Sequence, residues 1–146
     1  TALARTSGWD LKAKNEPGIY KIEALGAAIG QALDRSLGER RGIRRYGSAS
    51  VPMDEALSDV SLDFSGRPYL ILSGELKCAR IGDFETDLLA PFLEALAIGA
   101  RLTLHVRFYG ENDHHKIESI FKALGLAARQ GAGLEGNAVP STKGLI

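Results

Sequence analysis

The chain is short of cysteine, of unbalanced charge and of long apolar runs, and each shortage removes a class of function. Its one cysteine, Cys78, excludes an intramolecular disulfide framework and suits a reducing compartment. Eighteen basic residues offset eighteen acidic ones, so no overall field favours nucleic acid or a membrane surface. Any anion recognition must then come from local clusters. The longest apolar-looking stretch, LLAPFLEALAIGA, holds a proline and a glutamate and is too short to span a bilayer. The amino end, TALARTSGWDLKAK, has no apolar core ahead of a cleavage site and does not read as a secretory signal. It reads instead as the end of a helix that begins upstream. The expected compartment is the cytoplasm. What remains is an ordinary globular balance, 45% apolar and 25% charged over 146 residues, which fits one domain spanning residues 1–146.

Periodicity orders the elements. Residues 9–14 alternate loosely as a short strand closed by NEPG. From residue 19 to 37, Ile22, Leu25, Ile29 and Leu33 recur at helical spacing, with Gly38 as the stop. A basic loop, ERRGIRRYG, leads into an extended segment. LSDVSLDFS and RPYLILSGELK read as strands joined through the turn SGRP. Residues 84–98 read as helix, interrupted or restarted near Pro91. RLTLHVRF reads as a strand, YGEN as a turn, and Asp113 as the N-cap of a helix running to Gln130. The Gly-rich tail predicts no regular structure.

A repeat runs through this order. Shifting the chain by 95 residues lays KIEALGAAIGQA on KIESIFKALGLA, matching Lys, Ile and Glu at the start and then Ala28 with Ala123, Gly30 with Gly125, and Ala32 with Ala127. Each copy follows a strand and a turn containing Asn and Glu, which predicts two related halves. Where the second copy has His114 and His115, the first has Ile19 and Tyr20. Glu23 stands where Glu118 stands.

Two of the three histidines in the chain are thus adjacent at the front of a helix. His114 and Glu118, four apart, share a face, while His115 points about 100° away. Adjacent histidines are poorly placed to chelate one ion. They suit two ions, or one ion and one hydrogen bond, with further ligands supplied from elsewhere. The plain alternative is an exposed polar first turn, with Glu118 favourably near the helix amino end. His105 alternates with Leu104 and Val106 and reads as a partly exposed strand histidine. For anions the sequence offers the arginines of ERRGIRRYG, Arg67 in SGRP, and hydroxyls beside Lys143 in PSTKG. Arg reads phosphate through its planar fork, and hydroxyls and Lys complete such a pocket. A solvated basic loop is the competing reading. Three such sites in a neutral chain point to a small phosphorylated ligand.

Taken in series, GIRRYG, VPMDEAL, DFSGRPYL, GENDHHKIESIFKA and PSTKG resemble imidazoleglycerol-phosphate dehydratases from about Gly8 to the end. The resemblance implies an α/β (α+β two-layer) fold of two duplicated halves, each a four-stranded sheet with helices on one face, the first half incomplete here. It implies Mn2+, a small phosphorylated imidazole substrate, and a trimer-based homo-oligomer of up to 24 subunits with metal at subunit interfaces. The implied reaction dehydrates imidazole glycerol phosphate to imidazole acetol phosphate in histidine biosynthesis. His114, His115, Glu118 and Glu23 inherit metal roles, and Glu23 and Glu118 are the candidate catalytic carboxylates. Arg45, Arg67, Ser141 and Lys143 inherit the phosphate contacts, with Arg44 a possible substitute for Arg45. The departure is at Ile19 and Tyr20, where the resemblance calls for a second histidine pair. Neither replaces imidazole as a manganese ligand. This leaves open a catalytically impaired relative that keeps the fold and phosphate pocket as a binding or structural subunit.

Overall fold

Residues that alternate apolar and polar build one mixed sheet, and amphipathic segments lay helices on its inner face. The computed structural model describes residues 2–10 and 21–141. In chain order its elements are α1 (Ala2–Ser7), α2 (Lys21–Leu37), β1 (Tyr46–Met53), β2 (Ala56–Asp63), β3 (Tyr69–Ser73), β4 (Arg80–Ile81), β5 (Phe84–Glu85), α3 (Leu89–Ala100), β6 (Thr103–Tyr109) and α4 (Asp113–Ala132). A 3-10 turn, Thr86–Leu88, leads into α3.

The four-stranded sheet runs β1-β2-β6-β3, and β4-β5 is a separate ribbon. β1 with β2 and β2 with β6 are antiparallel, whereas β3 lies parallel to β6. The inward residues are Val60 and Leu62 of β2 and Leu104, Val106 and Phe108 of β6, all buried. Tyr46, Tyr69, Ile71 and Tyr109 stand exposed on the outer face, with His105 between Ser61 and Ile71. α4 packs on β1 and β2, α3 packs on β3, and the helices pair as α2 with α3 and α1 with α4. Buried Ser58 and Ser119 share a hydrogen bond at 2.6 Å that ties β2 to α4. No described helix is long and apolar enough to cross a membrane.

The helix pairing carries the repeat into three dimensions. A Cβ on Gly30 would lie 2.5 Å from Leu96 O and 2.7 Å from Ala100 N. One on Gly125 would lie 2.8 Å from Leu3 O and 2.9 Å from Ser7 N, and would overlap the Thr6 hydroxyl. Leu3 and Ser7 therefore stand to α4 as Leu96 and Ala100 stand to α2. Both short helices end in a left-handed residue, Gly8 at φ 73° and Arg101 at φ 50°. The fold is α+β with one complete four-stranded sheet. Among the described residues no strand precedes Tyr46, and most of the strand expected at 9–14 lies outside them, as does the segment holding Ile19 and Tyr20.

SGRP joins β2 to β3 as expected, although β6 lies between the two strands in the sheet. Two local expectations change. The helix expected over 84–98 starts only at Leu89, with residues 84 and 85 in the ribbon. Pro91 sits within the first turn of α3, where a backbone N–H has no intrahelical acceptor, so the helix starts afresh beside it rather than being broken by it. Asn112, not Asp113, caps α4: its side chain accepts from the N–H of His114 at 2.9 Å and of His115 at 3.4 Å.

Candidate functional site

Displaced from the cap, Asp113 turns inward. It forms a buried pair with Lys116 at 2.7 Å, each side chain 2% exposed. Its other oxygen accepts the N–H groups of Lys77 at 2.7 Å and Cys78 at 2.6 Å, and Lys116 Nζ also donates to Glu75 O at 2.9 Å. Burial pushes the Asp113 carboxyl upward, but the Lys116 and backbone bonds outweigh it and hold the group at about 2. The pair straps residues 75–78 to the first turn of α4 and so fixes the helix start that bears the histidines.

The two imidazoles face different surroundings. His114 Nε2 lies 3.2 Å from Glu118 Oε2, and Lys122 Nζ lies 2.9 Å from Glu118 Oε1. The Lys122 ammonium, and then His114, keep the Glu118 carboxyl below its ordinary range, which favours its ionised form. His115 turns toward the β1–β2 turn, its Nδ1 2.9 Å from Glu55 Oε2 and its Nε2 3.8 Å from Asp54 Oδ2. Glu55 Oε1 accepts from the N–H of Asn112 at 2.7 Å and of Glu111 at 3.1 Å. The Asn112 N–H above all, with His115 and Glu111, brings the Glu55 carboxyl to about 2. Glu23, in the first turn of α2, is exposed. Its neighbour Ile22 lines a cavity of about 760 Å³ with Leu25, Phe84, Phe92 and Phe121, and His114 and Glu118 line the same cavity.

These nitrogen and oxygen donors suit manganese in kind. In number they fall short. Among the described residues no group of three or more His, Cys, Asp or Glu is arranged to hold an ion. His114 with Glu118 supplies two donors on one face, and His115 supplies one on another.

The anion candidates gather at the opposite end of the sheet. Arg45, itself at φ 75°, grips Asp63 through two bonds of 2.6 and 3.1 Å and donates to Pro140 O at 2.9 Å. This brings the start of PSTKG, with Ser141, beside it. The Asp63 carboxylate raises the Arg45 pKa. Arg67 is exposed four residues beyond Asp63, in a turn where its N–H bonds Ser65 Oγ at 3.2 Å. Arg44 pairs with Glu135 at 2.9 Å instead. Lys143 lies outside the described residues.

β2 measures the separation between the two groups. Ala56, beside Glu55, begins it and Asp63, the partner of Arg45, ends it, so the ends lie roughly 23 Å apart at the usual rise of a strand. That is longer than any small phosphorylated imidazole. One copy of the chain cannot bring its own histidine end and its own arginine end to the same ligand. Sequence reading missed Glu55 and the Asp113–Lys116 pair. Glu55 meets His115 60 residues away, and what turns Asp113 inward to its near neighbour Lys116 is the pair of amides about 36 residues away.

The family described as imidazoleglycerol-phosphate dehydratase matches residues 1–128. A relative of that name from Methanosarcina barkeri is 43% identical over 151 residues, covering 100% of this chain and 79% of its own length. One from Moorella thermoacetica is 50% identical over 140 residues, covering 94% of this chain and 70% of its own. The crystal structure of imidazoleglycerol-phosphate dehydratase from Staphylococcus aureus is 36% identical, with a TM-score of 0.87 over 91% of this chain and 78% of that one.

Proposed function

Because the chain belongs to the imidazoleglycerol-phosphate dehydratase family, hydro-lyases of histidine biosynthesis, we propose that it dehydrates imidazole glycerol phosphate in a manganese-dependent reaction at sites shared between copies of the chain. The observation that carries this reading is the separation of the histidine end from the arginine end along β2. A ligand that needs both must lie between two copies, which supports a homo-oligomer; a trimer-based assembly of up to 24 subunits is what the family resemblance implies for it.

His114, His115, Glu118 and Glu23 are the donors that this chain offers a manganese ion, and further donors must come from another copy. When bound, the metal acts as a Lewis acid toward the imidazole ring. The carboxylates do the proton work. The hydroxyl leaves from the carbon next to the ring. Glu118 or Glu23 accepts the proton lost from the second carbon out and passes it to that hydroxyl, so that it departs as water. The resulting enol takes up a proton at the ring-adjacent carbon as its own hydroxyl proton is released, giving the ketone. Arg45, Arg67, Ser141 and Lys143 hold the phosphate and fix the distance from it to the ring. Arg67 is the freest to do so, since Arg45 already engages Asp63 and Pro140.

A second reading, a catalytically impaired relative that keeps the phosphate pocket as a binding or structural subunit, is favoured by Ile19 and Tyr20 at the repeat positions of His114 and His115. Turnover of imidazole glycerol phosphate with added manganese separates the two. Product formation that Glu118→Gln abolishes supports the enzyme. Phosphorylated-ligand binding without turnover, weakened by Arg67→Ala, supports the subunit.

A further inference from the structure

The two histidines of α4 are chemically unequal, and the difference comes from the β1–β2 turn. Asp54 takes a left-handed backbone conformation, φ 48°, at the tip of that turn, next to Glu55. One oxygen of Glu55 is held by two backbone donors, Glu111 N and Asn112 N. The other oxygen faces His115 Nδ1 at 2.9 Å. The carboxylate is therefore anchored independently of the imidazole it touches. His114 has no such support: its side chain is 61% exposed against 22% for His115, and its partner Glu118 lies on its own helix and is shared with Lys122.

We infer that Glu55 is a positioning residue for His115: it fixes the Nδ1–H tautomer and leaves Nε2 as the nitrogen that binds a ligand. An ionised carboxylate can only accept hydrogen bonds, so the proton of this bond must sit on Nδ1. In the neutral ring the lone pair is then on Nε2. A carboxylate that holds the far nitrogen of a ligating histidine sets its tautomer and orientation and raises its basicity. The turn VPMDEAL thus acts on one histidine of the pair, His115. His115 is presented in one form, and His114 remains adaptable. The tautomer follows from this chain's own bonds alone. The consequence for metal binding rests on the manganese reading above.

The test separates the two parts. Long-range 1H–15N NMR of the metal-free protein, at about pH 8 where histidine is ordinarily neutral, reads the tautomer directly. The wild type should show His115 protonated on Nδ1. Protonation on Nε2 there overturns the inference, whatever a variant does. Glu55→Gln should keep its carbonyl on the two backbone N–H groups and turn its amide donor toward Nδ1, moving the proton to Nε2. An unchanged tautomer in a variant whose Glu111 and Asn112 amides stay protected from exchange also overturns it. Titration with Mn2+ then follows. A loss of affinity of about 10–100-fold in Glu55→Gln supports the ligand role of Nε2. Unchanged affinity with a reversed tautomer refutes that role and counts against the manganese reading, while the positioning bond stands.

Discussion

The first turns of α2 and α4 occupy equivalent places in the repeat, yet among the described residues only that of α4 carries a histidine pair. Both helices pass their short partners at a glycine, Gly30 against Leu96 and Ala100, Gly125 against Leu3 and Ser7. Beyond that crossing they diverge. The start of α4 is capped by Asn112, strapped by Asp113 and Lys116, and braced by Glu55 through His115. The first turn of α2 offers an exposed Glu23 and an apolar Ile22. Helix packing and site chemistry are encoded by different residues, so one can be present in a half without the other.

The sharpest way to break the comparison is at the strap. Lys116→Met leaves Asp113 as an unpaired buried charge and should cost about 3–5 kcal/mol of stability in urea denaturation. The amides of residues 77 and 78 and of the first turn of α4 should lose protection from exchange, while the α2–α3 crossing keeps its own. If residues 75–78 stay protected, the pair is not what holds the histidine turn. Next in size are the two crossings. Gly30→Ala and Gly125→Ala each press a Cβ against partner backbone and should cost about 1–3 kcal/mol by overpacking. Similar losses sharpen the equivalence of the halves; tolerance at one glycine and not at the other breaks it.

The smallest effect appears only in acid. Asp113 has a depressed pKa in the folded chain, so its contribution is fully present above the ordinary aspartate range, near 4. It is lost as the pH falls through about 2. Stability measured from pH 5 downward should fall more steeply in the wild type than in Asp113→Asn. Parallel curves would show that Asp113 is not held below its ordinary value.

Much of this was legible in the sequence where the signal was local. The stripe of Ile22, Leu25, Ile29 and Leu33 marked α2, the alternation of Leu104, Val106 and Phe108 marked β6, and the spacing of four placed His114 with Glu118. The repeat was legible through its glycines, because close helix crossing tolerates no Cβ there. What the sequence hid was set by distant partners. Asn112 and Asp113 are both good capping residues, and the choice between them is made by Lys116 together with the amides of Lys77 and Cys78. β3 follows β2 through a short turn, but its parallel pairing with β6 is decided by a connection of about 30 residues through the ribbon and α3. Arg45 reads as a free anion ligand until Asp63 is seen across β1 and β2.

If manganese binds as proposed, the first turn of α4 supplies part of its ligand set, and metal content per subunit tests that most directly. Equilibrium dialysis of the assembled protein against Mn2+ should give fewer than two ions per subunit, with binding lost in the His114→Ala, His115→Ala double variant. Two tightly held ions per subunit that survive removal of both imidazoles would contradict it.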